Sequence, residues 1–273
     1  PPLKVSDGWL RRKRASPSNR ALSIRIWARA AALCWESLVE VFESQAPDLD
    51  YSRYEASLLK AMLVHGSCWG EMGERLMSIL RTSDNGQRLR ALVSRWTGYG
   101  VADFGRSLEC TAQRVSILGF GELGDGDAHV YSLPLPPSLA ACREWRRVVV
   151  TLAWLTPTVV RNQKYRVASM WFDVAGSDLS VNRTDADWRA VRRGTLQHEV
   201  FEGERAVAFV DGDALAIKVN CRKEAGKMKE GRKRILLPYG LVVSLEVSEG
   251  VSIPIYDEIR ARIPVRVPVQ QPV

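Results

Sequence analysis

The feature that most constrains this chain is a change of hydrophobic period near residue 112. Before it, apolar residues recur at helical spacing. After it, they alternate, or run in short blocks between glycine and aspartate turns. A period of 3.6 residues suits a helix and a period of two suits a strand. The two portions are therefore expected to form different kinds of structure.

Residues 19–42 contain neither proline nor glycine. Ala21, Leu22, Ala28, Ala31, Ala32, Trp35, Leu38 and Phe42 are expected to line one broad helix face, which ends at Gln45-Ala46-Pro47. A second helix fits 53–65, with Leu58, Leu59, Met62 and Leu63 buried and Gly66 as the stop. Further helices fit 71–80 and 87–96, the latter after the turn Asp84-Asn85-Gly86. Asp103 is placed to cap a short helix ending near Ser107.

Beyond residue 112 the expected strands are 113–118, 129–133, 146–155, 165–172, 195–201, 206–209, 215–221, 236–247 and 253–263. Short strands between Gly/Asp turns predict a β-sandwich or jelly-roll-like domain. The fold class is thus α+β, in four parts. These are an irregular basic N-terminus (1–17), a helical portion (18–112), a β-sandwich domain (113–263) and an extended tail (264–273).

Several function classes are disfavoured. The longest apolar runs, such as 148–155, are strand-sized, whereas a membrane span needs about 20 residues. The basic N-terminal cluster has no apolar stretch behind it, so no secretory signal is expected and a cytoplasmic location follows. The first residue is not Met, which suggests an incomplete or processed start. The five cysteines (Cys34, Cys68, Cys110, Cys142 and Cys221) are odd in number, widely spaced and without a C-x-x-C pair. Reduced thiols fit this better than a disulfide framework, the alternative being two bridges and one leftover thiol.

The net charge of +8 and pI of about 9.4 admit an acidic partner. The basic residues cluster only at Arg11–Arg14 and in 223–234. The second cluster includes Glu224 and Glu230 and lacks the interleaved aromatics of single-strand binders. It reads as a solvated loop between two strands, and nucleic acid is not the expected partner. No phosphate-binding G-x-x-x-x-G-K-[ST] loop is present, and Gly119-Phe120-Gly121 is too short for a dinucleotide site. His65, Cys68 and Cys110 do not have zinc-finger spacing. No cofactor and no metal are expected. A His65/Cys68 catalytic pair is disfavoured by Gly66 between them. His65 reads instead as a partly buried helix-end residue whose positive charge suits a helix C-terminus. His198 reads as a surface histidine on a strand, with Glu199 on the opposite face. The nine tryptophans, spread over both portions, indicate core packing.

Three segments together resemble the subtilase family of bacterial subtilisin-like serine proteases. Ser18-Asn19-Arg20-Ala21-Leu22 opens the long alanine-rich helix, as the family's G-T-S-x-A nucleophile motif opens a long buried helix. Leu58-Leu59-Lys60-Ala61-Met62-Leu63-Val64-His65-Gly66 is similar to the family's next helix, K-A-L-L-x-x-x-A. Gly98-Tyr99-Gly100-Val101-Ala102-Asp103 is similar to the G-Y-G-x-x-D segment near the end of the catalytic domain. Leu133-Pro134-Leu135-Pro136, Thr151-Leu152-Ala153-Trp154, 193–204 and Glu258-Ile259-Arg260-Ala261-Arg262 resemble the β-rich extension of large bacterial subtilases. The resemblance runs from about Ser18 to Ile263.

It implies that residues 18–112 are the helical end of an α/β catalytic domain and that 113–263 are an appended β-sandwich. The implied activity is serine endopeptidase, acting on a protein or peptide substrate, with Ser18 at the nucleophile position. Gly98–Asp103 would support the fold. The chain departs from the family where the chemistry sits. Ser16-Pro17-Ser18 stands in place of G-T-S, and Arg20 in place of alanine. In subtilases the catalytic Asp and His precede the serine. Here Asp7 is the only carboxylate before Ser18, and His65, His129 and His198 all follow it. A truncated or frameshifted gene would give this pattern, and the chain alone is expected to be inactive. An upstream protease chain or a second copy are the implied partners. The alternatives are a non-catalytic protein-interaction module and a basic nucleic-acid adaptor.

A subtilase helix of this kind normally lies beneath a parallel sheet. Without that cover, several hundred Å² of apolar surface would be exposed on the order of a large surface patch. The chain is expected to aggregate, to be partly molten in its first half, or to dimerise. A monomer with one sharp unfolding transition in calorimetry would contradict this.

Overall fold

The computed structural model describes residues 17–82, 89–108, 110–139, 145–160, 162–175, 182–183, 194–203, 214–225, 228–230, 233–248, 254–262 and 270–271. It is a mixed α and β structure with two larger antiparallel sheets. The helices are α1 (Pro17–Gln45), α2 (Glu55–His65), α3 (Gly70–Leu80), α4 (Leu89–Thr97), α5 (Phe104–Leu108) and α6 (Ile255–Arg262). The strands are β1 (Arg114–Leu123), β2 (Ala128–Pro134), β3 (Arg146–Trp154), β4 (Ala168–Ala175), β5 (Asn182–Arg183), β6 (Leu196–Gly203), β7 (Ala214–Lys223), β8 (Lys229–Glu230), β9 (Lys233–Arg234), β10 (Leu237–Val247) and β11 (Gln270–Gln271).

One sheet has the order β1-β10-β3-β6-β5 and the other β11-β2-β7-β4, while β8 and β9 form a small hairpin. The two larger sheets share one apolar core. Val148, Val150, Leu152 and Trp154 of β3 and Leu241, Val243 and Leu245 of β10 contribute from one side. Leu215, Ile217 and Val219 of β7 and Met170 and Phe172 of β4 contribute from the other.

The opposite face of the first sheet is covered by helix α2. Leu58, Ala61 and Met62 pack there against Ala153 and Val242, and Cys34, Leu38 and Phe42 of α1 pack behind them. The helical and β-rich portions therefore meet in a common core. Coverage on both faces explains why all nine residues of β3 are buried and why its sequence runs VVVTLAW without alternation. β7 has only one covered face, and its burial alternates along the strand.

Two sequence expectations are corrected. Residues 253–263 were expected as a strand, but Ile255–Arg262 is helix α6. Pro254 precedes it, Asp257 and Glu258 occupy its first turn, and Ile255 and Ile259, one helical turn apart, are both fully buried. Acidic residues in the first turn favour a helix N-terminus, and the i, i+4 apolar pair outweighs the β-propensity of isoleucine. The inward face of α1 also differs from expectation. Its buried residues are Ala30, Cys34, Leu38 and Phe42, while Ala28, Ala32 and Trp35 face outward. Strand 206–209 lies outside the described residues.

Gly240 sets how closely α2 approaches the sheet. A Cβ there would stand 2.6 Å from the Leu58 backbone nitrogen and 2.8 Å from the Ser57 carbonyl carbon. Its cross-strand neighbour Ala153 is also small. Gly240→Ala is expected to destabilise the fold by about 1–3 kcal/mol, the usual cost of overpacking against backbone. Urea denaturation followed by circular dichroism measures this, and an unchanged midpoint would refute it.

Candidate functional site

The strongest concentration of titratable side chains lies where α2 ends above β3 and β6. Thr151 is the one hydroxyl residue in the apolar run of β3 and points toward α2. Its Oγ1 is 2.9 Å from His65 Nδ1 and 2.8 Å from His198 Nδ1. His198 Nε2 lies 2.9 Å from the Ser67 carbonyl oxygen, and the Tyr99 ring packs edge-on against the His198 ring.

The hydrogen-bond directions follow by elimination. A carbonyl only accepts, so His198 Nε2 carries the proton and Nδ1 is an acceptor. Thr151 then donates to His198 and accepts from His65 Nδ1–H. His65 Nε2 is left as a bare, buried nitrogen without a hydrogen-bond partner. Both rings are 1% exposed. Burial is the main cause of their depressed basicity, with the opposite histidine and nearby arginines adding to it for His65. His198 is lowered to about 4. Both histidines are therefore neutral at pH 7. The expectations of a charged helix-end His65 and a surface His198 are corrected, because α2 and the Ser67 backbone seal both rings from water.

Glu199 does point the other way, as strand geometry requires. Gln197 donates to Glu199 at 2.6 Å, and it holds the Phe172 backbone across the intersheet core at 2.8 Å (N–H) and 3.3 Å (C=O). His198 and Glu199 thus serve opposite faces of one strand.

A second buried chain occupies the intersheet core. Tyr131 donates to the Phe120 carbonyl at 2.9 Å and lies 2.6 Å from the Tyr239 hydroxyl, which in turn lies 2.6 Å from His129 Nδ1. With the Tyr131 proton committed to the carbonyl, Tyr239 donates to Tyr131 and His129 Nδ1–H donates to Tyr239. Burial lowers His129 and raises both phenols. Gly119 and Gly121 make room for this cluster. A Cβ on the first would meet the Tyr131 ring at 2.9 Å, and one on the second would meet His129 Nδ1 at 2.9 Å. The Gly119-Phe120-Gly121 pattern is thus used for packing.

The Gly98–Asp103 segment closes the helical portion. Gly98 and Gly100 have φ of +61° and +97°, in the left-handed region that glycine adopts without strain. Cys68 and Val101 exchange backbone hydrogen bonds of 3.1 and 2.9 Å across the turn. Tyr99 donates to the Leu196 carbonyl at 2.9 Å, and Asp103 accepts from the Arg106 amide at 3.3 Å as a cap on α5. Lys60 fastens α2 to the strand ends, donating to Thr195 Oγ1 at 2.5 Å and to the Thr195 carbonyl at 2.8 Å. Burial lowers its basicity.

Ser18 lies in the first turn of α1, but its side chain is outside the described residues. Arg11–Arg14 and Cys142 also lie outside them. Cys34, Cys68, Cys110 and Cys221 are unbridged, and burial pushes the Cys221 thiol up to about 12. Among the described residues, no group of three or more His, Cys, Asp or Glu could hold a metal ion. Among the described residues, no helix is long and apolar enough to cross a membrane. In the basic 223–234 segment, Met228 is buried and Arg234 pairs with Asp127 at 2.7 Å, beside the β8–β9 hairpin. Sequence reasoning missed Thr151, Tyr239 and Tyr131 as partners of the histidines. The available signal was a lone threonine inside an otherwise apolar buried strand.

No protein-family model matches this chain, and no curated protein matches it. Among solved structures it is similar to a chain described as "Cyanophage Pam1 capsid asymmetric unit", at 14% identity and a TM-score of 0.24. That match covers 50% of this chain and 82% of the other.

His65 and His198 make the fold sensitive to acid. Each has a folded-state pKa below its unfolded value of about 6.5. The unfolded chain therefore binds more protons as pH falls below about 6.5, and stability decreases. For His198 the loss develops between pH 6.5 and about 4 and amounts to ~3 kcal/mol, since each pKa unit is worth about 1.4 kcal/mol. The expected result is a urea midpoint that falls across this window, with a shallower slope in His198→Gln. Equal slopes in the two proteins would contradict the assignment.

Proposed function

We propose that this chain is the C-terminal portion of a subtilisin-like serine protease and is non-catalytic by itself. In this reading its two sheets form a β-sandwich that acts as a protein-interaction and stabilising module. The observation that carries the non-catalytic half is the placement of the histidines. A serine nucleophile needs a base within hydrogen-bond reach, about 3 Å, and an orienting group behind that base. The chain has three histidines, and all three are buried and tied to the fold through a threonine or a tyrosine. His198 uses both ring nitrogens. His65 and His129 keep a bare Nε2, but it is enclosed by protein. None can serve a substrate-facing Ser18 without dismantling the core around it.

The subtilase part of the reading is supported by its segments and their local roles. Ser18 stands in the first turn of the long helix α1, Lys60-Ala61 sits within the docking helix α2, and Gly98-Tyr99-Gly100 with Asp103 forms a closing turn and helix cap. In a complete relative the activity would be peptide-bond hydrolysis through an acyl-enzyme on serine.

Fluorophosphonate labelling with mass spectrometry tests both parts. The chain alone is expected to remain unlabelled, like its Ser18→Ala variant. Labelling at Ser18 would overturn the non-catalytic assignment. Mixing with a separately expressed chain that carries the Asp and His segments of a subtilase is expected to make Ser18 reactive. Continued silence there would count against Ser18 as the family's nucleophile.

A further inference from the structure

Helix α1 buries only one of its apolar stripes. Ala30, Cys34, Leu38 and Phe42 face the protein, and a second stripe runs beside them along Ala28, Ala32, Trp35 and Val39. These four recur at alternating steps of four and three, the spacing of a helix–helix seam. Ala28, Ala32 and Trp35 are exposed, and Trp35, Glu36, Val39, Glu40, Glu43 and Ser44 line an open groove of about 540 Å³.

The charges along the edge of this seam are segregated. Arg25 and Arg29 lie in the N-terminal half, and Glu36, Glu40 and Glu43 in the C-terminal half. All are exposed, and none forms an ion pair with another described residue. Such an arrangement is unfavourable for the helix itself. Arg25/Arg29 and Glu36/Glu40 are like-charge i, i+4 pairs. Cations near the N-terminal half and anions near the C-terminal half also oppose the helix dipole, and α1 has no acid in its first turn and no base in its last.

The same arrangement is self-complementary to an antiparallel copy. We propose that α1 pairs with α1 of a second copy of this chain, antiparallel and about a two-fold axis near residues 33–34. Ala28 of one copy then faces Val39 of the other, and Ala32 faces Trp35. The charged edges fall on the same side of the pair, so Arg25 meets Glu43 and Arg29 meets Glu40. A two-fold axis repeats each contact. A two-fold parallel pair would carry the two charged edges to opposite sides of the seam, where neither complements the other. The pairing does not depend on the protease reading: chain labelling tests that reading, and particle mass tests this one.

The test is sedimentation equilibrium of the full chain with charge-reversed variants, all at exposed positions and each checked for folding by circular dichroism. The wild type is expected to dimerise. Arg25→Glu/Arg29→Glu and Glu36→Lys/Glu40→Lys/Glu43→Lys are each expected to raise the dimer Kd about 100-fold or more, because like charges then face each other across the seam. An equimolar mixture of the two variants is expected to form a heterodimer, and the variant carrying all five reversals to recover the homodimer. A monomeric wild type would overturn the proposal and leave this face to a different protein. An oligomer indifferent to either reversal, or a mixture that does not associate, would overturn it equally.

Discussion

The structure depends on the double coverage of β3 and β10. These neighbouring strands carry the intersheet core on one face and helix α2 on the other. Two-sided burial removes every residue of β3 from water, and that forces the remaining features. The helix lies close only because Gly240 and Ala153 present almost no side chain beneath Leu58. Polar groups left in this layer are costly unless they find a partner inside the protein, since an unsatisfied buried donor or acceptor costs ~1–3 kcal/mol, and among them His65 Nε2 stays unpaired. Thr151 answers that demand by linking two histidines to the backbone after α2.

This explains why the histidines behave as structural groups. A catalytic base must exchange protons with a substrate near neutral pH. His65 and His198 are instead held neutral by enclosure, and their protons are committed to fixed acceptors. Exposing either ring would open the junction between α2, β3 and β6. The ion cluster at the far end of the same strands has a similar character. Glu246 accepts from Arg106 of α5 at 2.5 Å and from Arg114 of β1 at 3.1 Å, which ties the last short helix of the first portion to the first strand of the second. The joint near residue 112 is thus braced by charge on one side and by apolar packing on the other.

Much of this was legible in the sequence, because long elements carry strong periodic signals. Helices α1 to α5 and most strands fall within a few residues of where period and turn chemistry place them. The errors have physical causes. The strand expected over 253–263 gives way to α6, because the four-residue separation of Ile255 and Ile259 and the acids between them fit a helix. The histidines were misplaced because local sequence cannot report what covers a residue from 86 or 47 positions away, the separations that join His65 and His198 to Thr151. Glycines 119 and 121 seemed at most a fragment of a nucleotide loop, whereas their meaning lies in the rings of Tyr131 and His129 on a different sheet.

The outward stripe of α1 follows from the same limit. An alanine-rich helix offers several faces of similar apolarity, and sequence alone does not say which one the core will take. Packing selects the stripe through Leu38 and Phe42, because these reach the α2 side chains and the Phe120 ring. Trp35 and Val39 are then left beside a line of glutamates, with two arginines a few turns away. A merely solvated face would favour mixed charges, with acids toward the N-terminus and bases toward the C-terminus. Here the order is reversed and the signs are sorted into blocks. An antiparallel neighbour turns both features into attractions, so the least favourable charge pattern in the isolated chain is also its clearest sign of what lies against it.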